Sequence, residues 1–346
     1  MGSKNISEMT AVGVIGAGSF GLAVANLLAE NGEVLLYVRN KEIIPKINED
    51  RYCNKQEISE NIRATGDLKE VADNCRVIFP VVPSVNFRDM MRDLAPHLYP
   101  YHILIHGTKG LDFPYKDNMV YNRESVRTMS EIIREESCVV RVGCLAGPNL
   151  ARELAEKQPA ATVVASHFDE VIDAGQKHLR SDRFQVYGSS DLIGVELTGV
   201  LKNVLAIASG ALSGLGYGEN AKGLLISRGL VEMIYVGKVL GGNTEAFVGL
   251  AGVGDIVATC TSKLSRNFTV GYRLAQGESL EDIIESMDEV AEGVKTVKIV
   301  KRLSEHYGVR APITEALYKV LYEGVTIQEV IRLLMKLPMN ADIDFL

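Results

Sequence analysis

Residues 13–21 read GVIGAGSFG, a G-x-G-x-x-G pattern directly after the apolar run Ala11–Ile15 and before an apolar helical pattern. In such a strand–turn–helix unit, Gly16 allows the tight turn, Gly18 lets a ligand approach the backbone, and Gly21 permits close helix–strand packing. The helix start then offers N–H groups to an anion. Glycine-rich turns also occur in ordinary strand–turn–helix units, but the flanking pattern and the position near the chain start favour a dinucleotide-binding loop.

The end of the next predicted strand bears on the kind of dinucleotide. An Asp or Glu about 20 residues after the glycines commonly binds the ribose 2′-hydroxyl of NAD. Here the run Val34–Val38 is followed by Arg39 and Asn40, with no acid at the tip. A guanidinium can pair with a 2′-phosphate and stack on adenine. Unless Arg39 is an ordinary solvated side chain, it favours NADPH, or the use of both NAD and NADP.

The two halves of the chain have different patterns. The first half holds six short, β-branched apolar runs, which are typical of parallel strands covered on both faces. These runs are Ala11–Ile15, Val34–Val38, Val77–Val82, Ile103–His106, Val139–Leu145 and Ala161–Ala165. Predicted helices are Phe20–Asn31, Asp67–Asn74, Ile193–Ala211, Ala221–Leu240, Val294–Tyr307 and Thr314–Tyr322. The sequence therefore predicts a doubly wound, Rossmann-like α/β domain over residues 1–190 and an all-α domain over residues 191–346.

Composition excludes several classes of protein. With 47% hydrophobic and 23% charged residues, the 346-residue chain is ordinary for a globular protein. Its net charge of −7 disfavours general binding of nucleic acid or anionic membranes. No uncharged stretch is long and apolar enough to span a bilayer, and the N-terminus lacks a signal-peptide pattern. The five cysteines lack CxxC or metal-binding spacing, so we expect a cytoplasmic protein with free thiols and no metal site.

Lys202 and Asn203 interrupt an otherwise apolar helical pattern. Burying an ammonium group is costly unless it is paired, and burial lowers the pKa of such a group. A lysine brought toward neutrality can exchange a proton with a substrate hydroxyl. A lysine whose head group reaches solvent is equally compatible with this helix alone.

Several turns also carry polar residues. Lys109 follows a predicted strand, where ligands bind in doubly wound folds. Asn149 follows another strand and suits either an anion site or a simple helix cap. Asp255 ends a glycine-rich bend, and the segment Ser265-Arg266-Asn267 offers donors that suit a phosphate. Taken singly, each of these segments is better explained by a turn, a cap or a solvated charge.

Taken together, the segments resemble the NAD(P)-dependent glycerol-3-phosphate dehydrogenase family from Val14 to about Leu334. The glycine pattern is common to many enzymes, whereas the Leu-Lys-Asn, Gly-x-Gly-Asp and Ser-Arg-Asn segments in this order are more specific. The matching segments are Gly16–Gly21, Val82-Pro83-Ser84, Thr108-Lys109-Gly110, Gly147-Pro148-Asn149-Leu150-Ala151, Leu201-Lys202-Asn203, Gly252–Asp255, Ser265-Arg266-Asn267 and Glu292-Gly293.

The resemblance implies an enzyme that interconverts dihydroxyacetone phosphate and sn-glycerol 3-phosphate and supplies the latter for phospholipid synthesis. It implies that Lys202 is the catalytic base, that Asp255 orients or supports it, and that Lys109 contacts the substrate and polarises its oxygen. Arg266 and Asn267 would hold the substrate phosphate. The substrate would lie between the two domains, and a homodimer is expected.

The resemblance also implies the remaining binding residues. Cofactor contacts are implied at Gly16, Gly18, Ser19, Phe20, Gly21, Arg39, Lys109, Ala151, Arg266, Val290 and Glu292. Substrate contacts are implied at Lys109, Gly147, Asn149, Lys202, Asp255, Ser265, Arg266 and Asn267. Three features depart from the family pattern: Gly107, preceded by His106, replaces a common Ser; Asn149 replaces a hydroxyl residue; and the charged segment Lys41–Asn61 matches poorly.

Two other functions are compatible with the sequence. An NADP-dependent β-hydroxy acid or keto acid reductase would use Arg266 to bind a carboxylate, and a panel of phosphorylated and carboxylated substrates separates it from the first hypothesis. A non-catalytic sensor would bind a nicotinamide nucleotide without turnover. Lys109, Lys202 and Arg266 together argue against a sensor, because a sensor has no need for a proton donor.

Overall fold

The computed structural model describes residues 9–113, 121–287 and 291–337. These residues group into two compact units. The first unit contains the described residues up to Asp112 together with Thr128–Glu196. The second contains the described part of 113–127 and the described residues from Leu197 onward. The division by contacts thus falls between Glu196 and Leu197, and it places a short segment from the first half of the chain in the second unit.

The described residues of the first unit form ten strands. They are β1 Ala11–Ile15, β2 Val34–Tyr37, β3 Tyr52–Cys53, β4 Gln56–Glu57, β5 Ile62–Thr65, β6 Cys75–Pro80, β7 Ile103–His106, β8 Arg141–Ala146, β9 Ala160–Ser166 and β10 Phe184–Ser189. Eight of them form one sheet in the order β10-β9-β8-β7-β6-β1-β2-β5, and β3 and β4 form a separate hairpin. All six predicted strands are present. The sequence reasoning missed β5 and β10, which are the two edge strands of the sheet.

Strand direction departs from the prediction at one place. Neighbouring strands pair in parallel throughout the sheet, except that β8 and β9 are antiparallel. The prediction of a parallel strand at Ala161–Ala165 was therefore wrong in direction. A parallel return needs a crossover of a dozen or more residues, usually with a full helix, and only one short helix lies between these two strands. Because β9 is buried on both faces, its apolar pattern carries no information about direction.

Helices cover both faces of the sheet. Along β7, Ile103 and Ile105 belong to one apolar core and Leu104 to the other, because successive side chains point to opposite faces. Helices contribute Leu22 to the first core and Phe87 to the second. The helices of this unit are α1 Ser19–Leu28, α2 Ile44–Asn48, α3 Leu68–Asn74, α4 Ser84–Leu94, α5 Met129–Glu136, α6 Ala151–Ala155 and α7 Asp169–Leu179. The predicted doubly wound α/β architecture is confirmed.

The rest of the described chain is helical. After Ser189 the described residues contain no strand. The helices are α8 Leu192–Gly214, α9 Glu219–Val239, α10 Thr244–Val248, α11 Asp255–Thr261, α12 Arg266–Ala275, α13 Leu280–Glu285, α14 Glu292–Tyr307, α15 Pro312–Tyr322 and α16 Ile327–Leu334. Each predicted helix overlaps an observed one, so the predicted all-α region is confirmed.

Helix α8 stands out for its length and apolarity. Among the described residues, it is the one helix that is both long enough and apolar enough to span a membrane. However, 94% of its most apolar 18-residue stretch is buried inside the protein. A helix that is apolar all round suits the core of a large protein as well as a membrane. Its burial identifies α8 as a core helix.

Candidate active site

The glycine loop between β1 and α1 is shaped by close backbone contacts. Gly16 has a φ of 115°, and a Cβ there would lie 2.3 Å from the Val81 carbonyl oxygen. A Cβ on Gly21 would lie 2.0 Å from the Gly16 carbonyl oxygen. At Gly18, in contrast, a Cβ would meet no protein atom within 4 Å. The fold itself requires the first and third glycines, whereas the open space at the second fits a pyrophosphate that approaches the backbone.

Other predicted site residues lie at the same edge of the sheet. Strands β1, β2, β6, β7 and β8 are mutually parallel, so their carboxyl ends share one edge. Gly18, Arg39, Lys109 and Gly147 each follow one of these ends. The chain builds β2 and β5 on one side of β1 and then crosses to β6 on the other. Ligands of doubly wound sheets bind at such a reversal, outside the carboxyl ends.

Lys109 connects the loops that follow three strands. Its half-buried side chain donates from Nζ to the Gly147 carbonyl oxygen at 3.3 Å, beyond β8. The neighbouring Thr108 hydroxyl donates to the Val82 carbonyl oxygen at 2.7 Å, beyond β6. These bonds hold the Lys109 loop in place at the carboxyl ends of the parallel strands.

Two of the three departures from the family pattern, Gly107 and Asn149, can be related to packing. A Cβ on Gly107 would lie 3.1 Å from Cε1 of Phe20, so a serine there would press on this ring. The buried Asn149 amide lies 2.9 Å from the Thr162 hydroxyl on β9. Asn149 is not the helix cap that the sequence also allowed, because Leu150 occupies the N-cap position of α6.

Lys202 lies in the middle of α8 and is 4% exposed. Its Nζ donates to Oγ1 of Thr259 at 2.5 Å and lies 3.1 Å from Oδ1 of Asp255. The Thr259 hydroxyl in turn donates to Oδ1 of Asp255 at 3.0 Å. Lys202 is therefore not a solvent-reaching lysine but a buried, paired one, and its exchange of a proton with a substrate stays a prediction. We call these three residues the Lys202 cluster.

The glycine-rich bend before α11 positions the helix that carries both partners of Lys202. Residues Leu250–Gly254 form a π-helical turn, and a Cβ on Gly252 would lie 1.9 Å from the Phe247 carbonyl oxygen. Only glycine fits this approach. Asp255 and Thr259 follow on α11 at a spacing of four residues, which places both on one face of the helix.

Lys202 lies in a buried environment beside a carboxylate. Taking an ammonium out of water is costly, and the buried Asp255 carboxylate offsets part of that cost. The adjacent Cys260 is also buried, and burial raises the pKa of its thiol to about 12, although Lys202 acts in the opposite direction. The thiol therefore stays protonated at neutral pH and is a poor nucleophile.

The segment Ser265-Arg266-Asn267 opens α12. The Ser265 hydroxyl caps this helix by accepting from the Phe268 N–H at 3.3 Å, and Arg266 is exposed. Oδ1 of the buried Asn267 accepts from the Gly293 N–H at 2.9 Å, beside Glu292 at the start of α14. The starts of α12 and α14 thus meet here, and Arg266 is the first residue of α12. Helix starts and a guanidinium are groups that suit an anion.

Helix α12 lies directly against α8. A Cβ on Gly271 would lie 1.8 Å from the Ile207 carbonyl oxygen, one and a half turns beyond Lys202. This close approach fixes the helix that carries Arg266 against the helix that carries Lys202. Of the predicted site residues, Val290 lies outside the described residues, and half-buried Ala151 begins α6.

Sequence reasoning missed two groups in the first unit. Glu196 is buried and accepts from His106 at 2.8 Å and from the N–H and hydroxyl of Ser130 at 2.9 and 2.6 Å. Burial alone would raise the pKa of Glu196, but these hydrogen bonds hold it below its ordinary value. Asn54 and Gln56, on the β3–β4 hairpin, contact the glycine loop. A two-residue turn at Asn54-Lys55 was the available signal for the hairpin.

Comparison with known proteins agrees with these features. The family model for the NAD-dependent glycerol-3-phosphate dehydrogenase N-terminus matches residues 11–172, and the model for its C-terminus matches residues 191–332. Glycerol-3-phosphate dehydrogenase (NAD(P)+) of Teredinibacter turnerae is 40% identical over 338 residues, covering 96% of each chain. The enzyme of the same name from Pseudomonas fluorescens strain SBW25 is 42% identical over 348 residues, covering 99% of this chain and 98% of its own.

A solved structure supports the same assignment. The crystal structure of glycerol-3-phosphate dehydrogenase from Coxiella burnetii is 32% identical, with a TM-score of 0.84. The match covers 94% of this chain and 99% of that one. Both family models, relatives over nearly the full length and a solved structure thus agree, and the chain belongs to the NAD(P)-dependent glycerol-3-phosphate dehydrogenase family.

Proposed function

We propose that this chain catalyses the reversible NAD(P)-dependent interconversion of dihydroxyacetone phosphate and sn-glycerol 3-phosphate. Relatives that carry this activity in their names match nearly the whole chain. The observation that carries the proposal is the Lys202 cluster, since a buried lysine beside a carboxylate is the proton-transfer group that such a reaction needs.

The residues of the glycine loop fit the nucleotide. Gly16 and Gly21 shape the loop, and the open space at Gly18 would admit a pyrophosphate. Helix α1 begins at Ser19, and its positive N-terminal end would stabilise the phosphates. The exposed Arg39, after β2, would pair with the 2′-phosphate of NADP. When bound, the nicotinamide supplies a hydride to C2 of the substrate or accepts one from it.

Lys202 handles the proton that accompanies this hydride. During reduction its Nζ donates a proton to the C2 oxygen, so that a ketone becomes a secondary alcohol; during oxidation it accepts that proton. Asp255 favours the charged ammonium before reduction, and Thr259 fixes the position of Nζ through a hydrogen bond. The two partners make Lys202 an oriented donor, which is what general acid catalysis requires.

Recognition of the substrate follows from its charge. The exposed Arg266 and the amide of Asn267 would hold the phosphate beside the two helix starts. Lys109 would polarise the C2 oxygen. The same chemistry could hold a carboxylate, but the relatives act on a phosphate ester by name, so a phosphorylated substrate is favoured over a β-hydroxy acid or keto acid.

The wider context belongs to the same proposal. Membership of the family implies a role in supplying glycerol 3-phosphate for phospholipid synthesis. A cytoplasmic location agrees with the buried position of α8. A homodimer is expected because two-fold symmetric assemblies are the commonest oligomers, and light scattering of the purified chain tests it.

The experiment is a spectrophotometric assay of NADH and NADPH oxidation by the full chain. Dihydroxyacetone phosphate should support turnover, and carboxylated keto acids should not. Turnover with a keto acid but without the phosphate ester would replace this proposal with the reductase hypothesis. Nucleotide binding without turnover of any carbonyl compound would favour a sensor.

A further inference from the structure

The β3–β4 hairpin belongs to the segment that matches the family pattern poorly. Tyr52–Cys53 pairs antiparallel with Gln56–Glu57, and Asn54 and Lys55 form the turn with φ values of 48° and 63°. Positive φ at both central residues is the requirement of the commonest two-residue hairpin turn, and asparagine adopts it readily. The hairpin is thus a regular, locally specified element.

Two side-chain amides of this hairpin reach the glycine loop. Nδ2 of Asn54 donates to the Ala17 carbonyl oxygen at 3.0 Å. Nε2 of Gln56 donates to the Ser19 carbonyl oxygen at 2.8 Å. These two carbonyl groups lie on either side of Gly18, at the point where α1 begins.

Each of these bonds also fixes an N–H group. A trans peptide is planar, and its N–H points opposite to its carbonyl. Holding the carbonyl of Ala17 therefore orients the N–H of Gly18, and holding the carbonyl of Ser19 orients the N–H of Phe20. Backbone N–H groups at this position are the donors that bind phosphate in glycine-loop sites. We infer that Asn54 and Gln56 are positioning residues that preorganise the phosphate donors of the glycine loop for the nucleotide.

Gln56 shows the cost of this arrangement. The side chain is 5% exposed, and its Oε1 has no hydrogen-bond partner within the part of the chain that the structure describes. An unsatisfied buried acceptor is unfavourable, and an apolar side chain would avoid it. The bond to Ser19 explains why an amide occupies this buried position. Buried polar groups without a full set of hydrogen bonds are expected mainly at functional sites.

The hairpin is anchored independently of these two amides. Asn26 on α1 donates from Nδ2 to the Glu57 carbonyl oxygen at 2.9 Å and accepts from the Ser59 N–H at 3.0 Å. Loss of either Asn54 or Gln56 therefore leaves the hairpin attached to α1, so each variant should fold.

Two variants remove one donor each. Asn54→Gly keeps the positive φ without strain but lacks the amide, and Gln56→Met retains the side-chain length without a donor. Asn48→Ala is the matched control, because Asn48 makes two bonds to the backbone of Ala64 (3.1 and 2.7 Å) in the same unit. Among the described residues, neither of these bonds involves the glycine loop. Calorimetric titration of the full chain with NADH, NADPH and ADP-ribose gives the dissociation constants.

Each of the two variants should weaken binding of all three nucleotides by about three- to tenfold, as expected for one lost hydrogen bond. ADP-ribose should respond like NADH, because it keeps the pyrophosphate and lacks the nicotinamide. In both variants the KM for the nucleotide should rise, while kcat at saturating nucleotide should stay within about twofold of the wild-type value. Asn48→Ala should leave nucleotide binding unchanged, even if it lowers the melting temperature.

Three results would overturn the inference. These are unaltered dissociation constants in both variants, an equal loss in Asn48→Ala, or a loss confined to NADH and NADPH. The inference rests on the cofactor lying at the glycine loop, and the two failures are distinguishable. A wild-type chain that does not bind ADP-ribose contradicts the cofactor assignment, whereas normal binding in wild type and in both variants contradicts only the positioning role.

Discussion

The glycine loop of the first unit and the Lys202 cluster of the second are built in opposite ways. The loop is a contiguous segment that depends on missing side chains, because Gly16 and Gly21 let backbone groups come closer than any Cβ would allow. The Lys202 cluster depends on three buried side chains from two helices, with Thr259 57 positions after Lys202. Adding atoms should damage the loop, and removing atoms should damage the cluster.

The largest effect is expected for Lys202→Met. This change removes the proposed proton donor while keeping an unbranched apolar side chain in the core, so kcat should fall by about 10²- to 10⁴-fold. Steady-state kinetics with dihydroxyacetone phosphate measure the loss, and titration should show nucleotide binding close to wild type. Lys319→Met is the control, because Lys319 forms an ordinary surface pair with Glu315. Retained turnover in Lys202→Met would remove the assigned role.

The next largest effect is expected for Arg266→Ala, in the KM for the substrate. A charge-assisted phosphate contact contributes about 1.5–3 kcal/mol, and because Arg266 is exposed we expect the lower end, a rise of about tenfold in the KM for dihydroxyacetone phosphate. The matched control on the same helix is Arg273→Ala, since Arg273 pairs with Glu278. Equal KM values in the two variants would argue against phosphate binding at Arg266.

Thr259→Val tests how far the cluster depends on orientation. The change keeps the shape but removes the hydroxyl between Lys202 and Asp255, so kcat should fall by about tenfold with little change in KM. Thr259→Ser should restore most of the rate because it restores the hydroxyl. If valine and serine are equally active, the hydrogen bond to Nζ has no catalytic role.

The smallest effects are expected for alanine substitutions at Gly21 and Gly18, which should differ in whether stability or nucleotide binding is lowered. Gly21→Ala should lower the free energy of unfolding by about 1–3 kcal/mol, because its Cβ would clash with the Gly16 carbonyl. Gly18→Ala should leave stability within about 0.5 kcal/mol, since Gly18 has an ordinary φ of −70° and open space around it, yet it should weaken nucleotide binding. Denaturant unfolding and nucleotide titration of both variants check the pair. Matching stability losses would show that Gly18 also serves the fold.

This difference in construction explains what sequence could predict. The glycine loop and six of the strands were predictable because the information is local: a turn pattern and runs of apolar residues. The hairpin was missed because β3 and β4 contain two residues each, too few for any periodicity. The predicted direction of β9 was wrong, because a strand buried on both faces has the same apolar sequence pattern whether it runs parallel or antiparallel to its neighbour.

Lys202 illustrates a second limit of prediction from sequence. Its helix alone allowed either a buried or a solvent-reaching ammonium, and its partners Asp255 and Thr259 are too distant in sequence for local patterns to connect them. The resemblance to the family supplied the role, and the structure supplied the burial and the bonds. Asn149 was placed in the substrate site by resemblance, and its contact with Thr162 would not follow from any local pattern.

The route of the chain has a consequence for recombination. Because the described part of 113–127 belongs to the second unit, the described chain passes between the units three times, at 112/113, 127/128 and 196/197. A chimera that joins the front half of one homologue to the back half of another at a single junction would therefore pair a foreign segment with the second unit. Exchange of a complete unit between homologues needs three junctions, which makes modular shuffling of this architecture by simple gene fusion difficult.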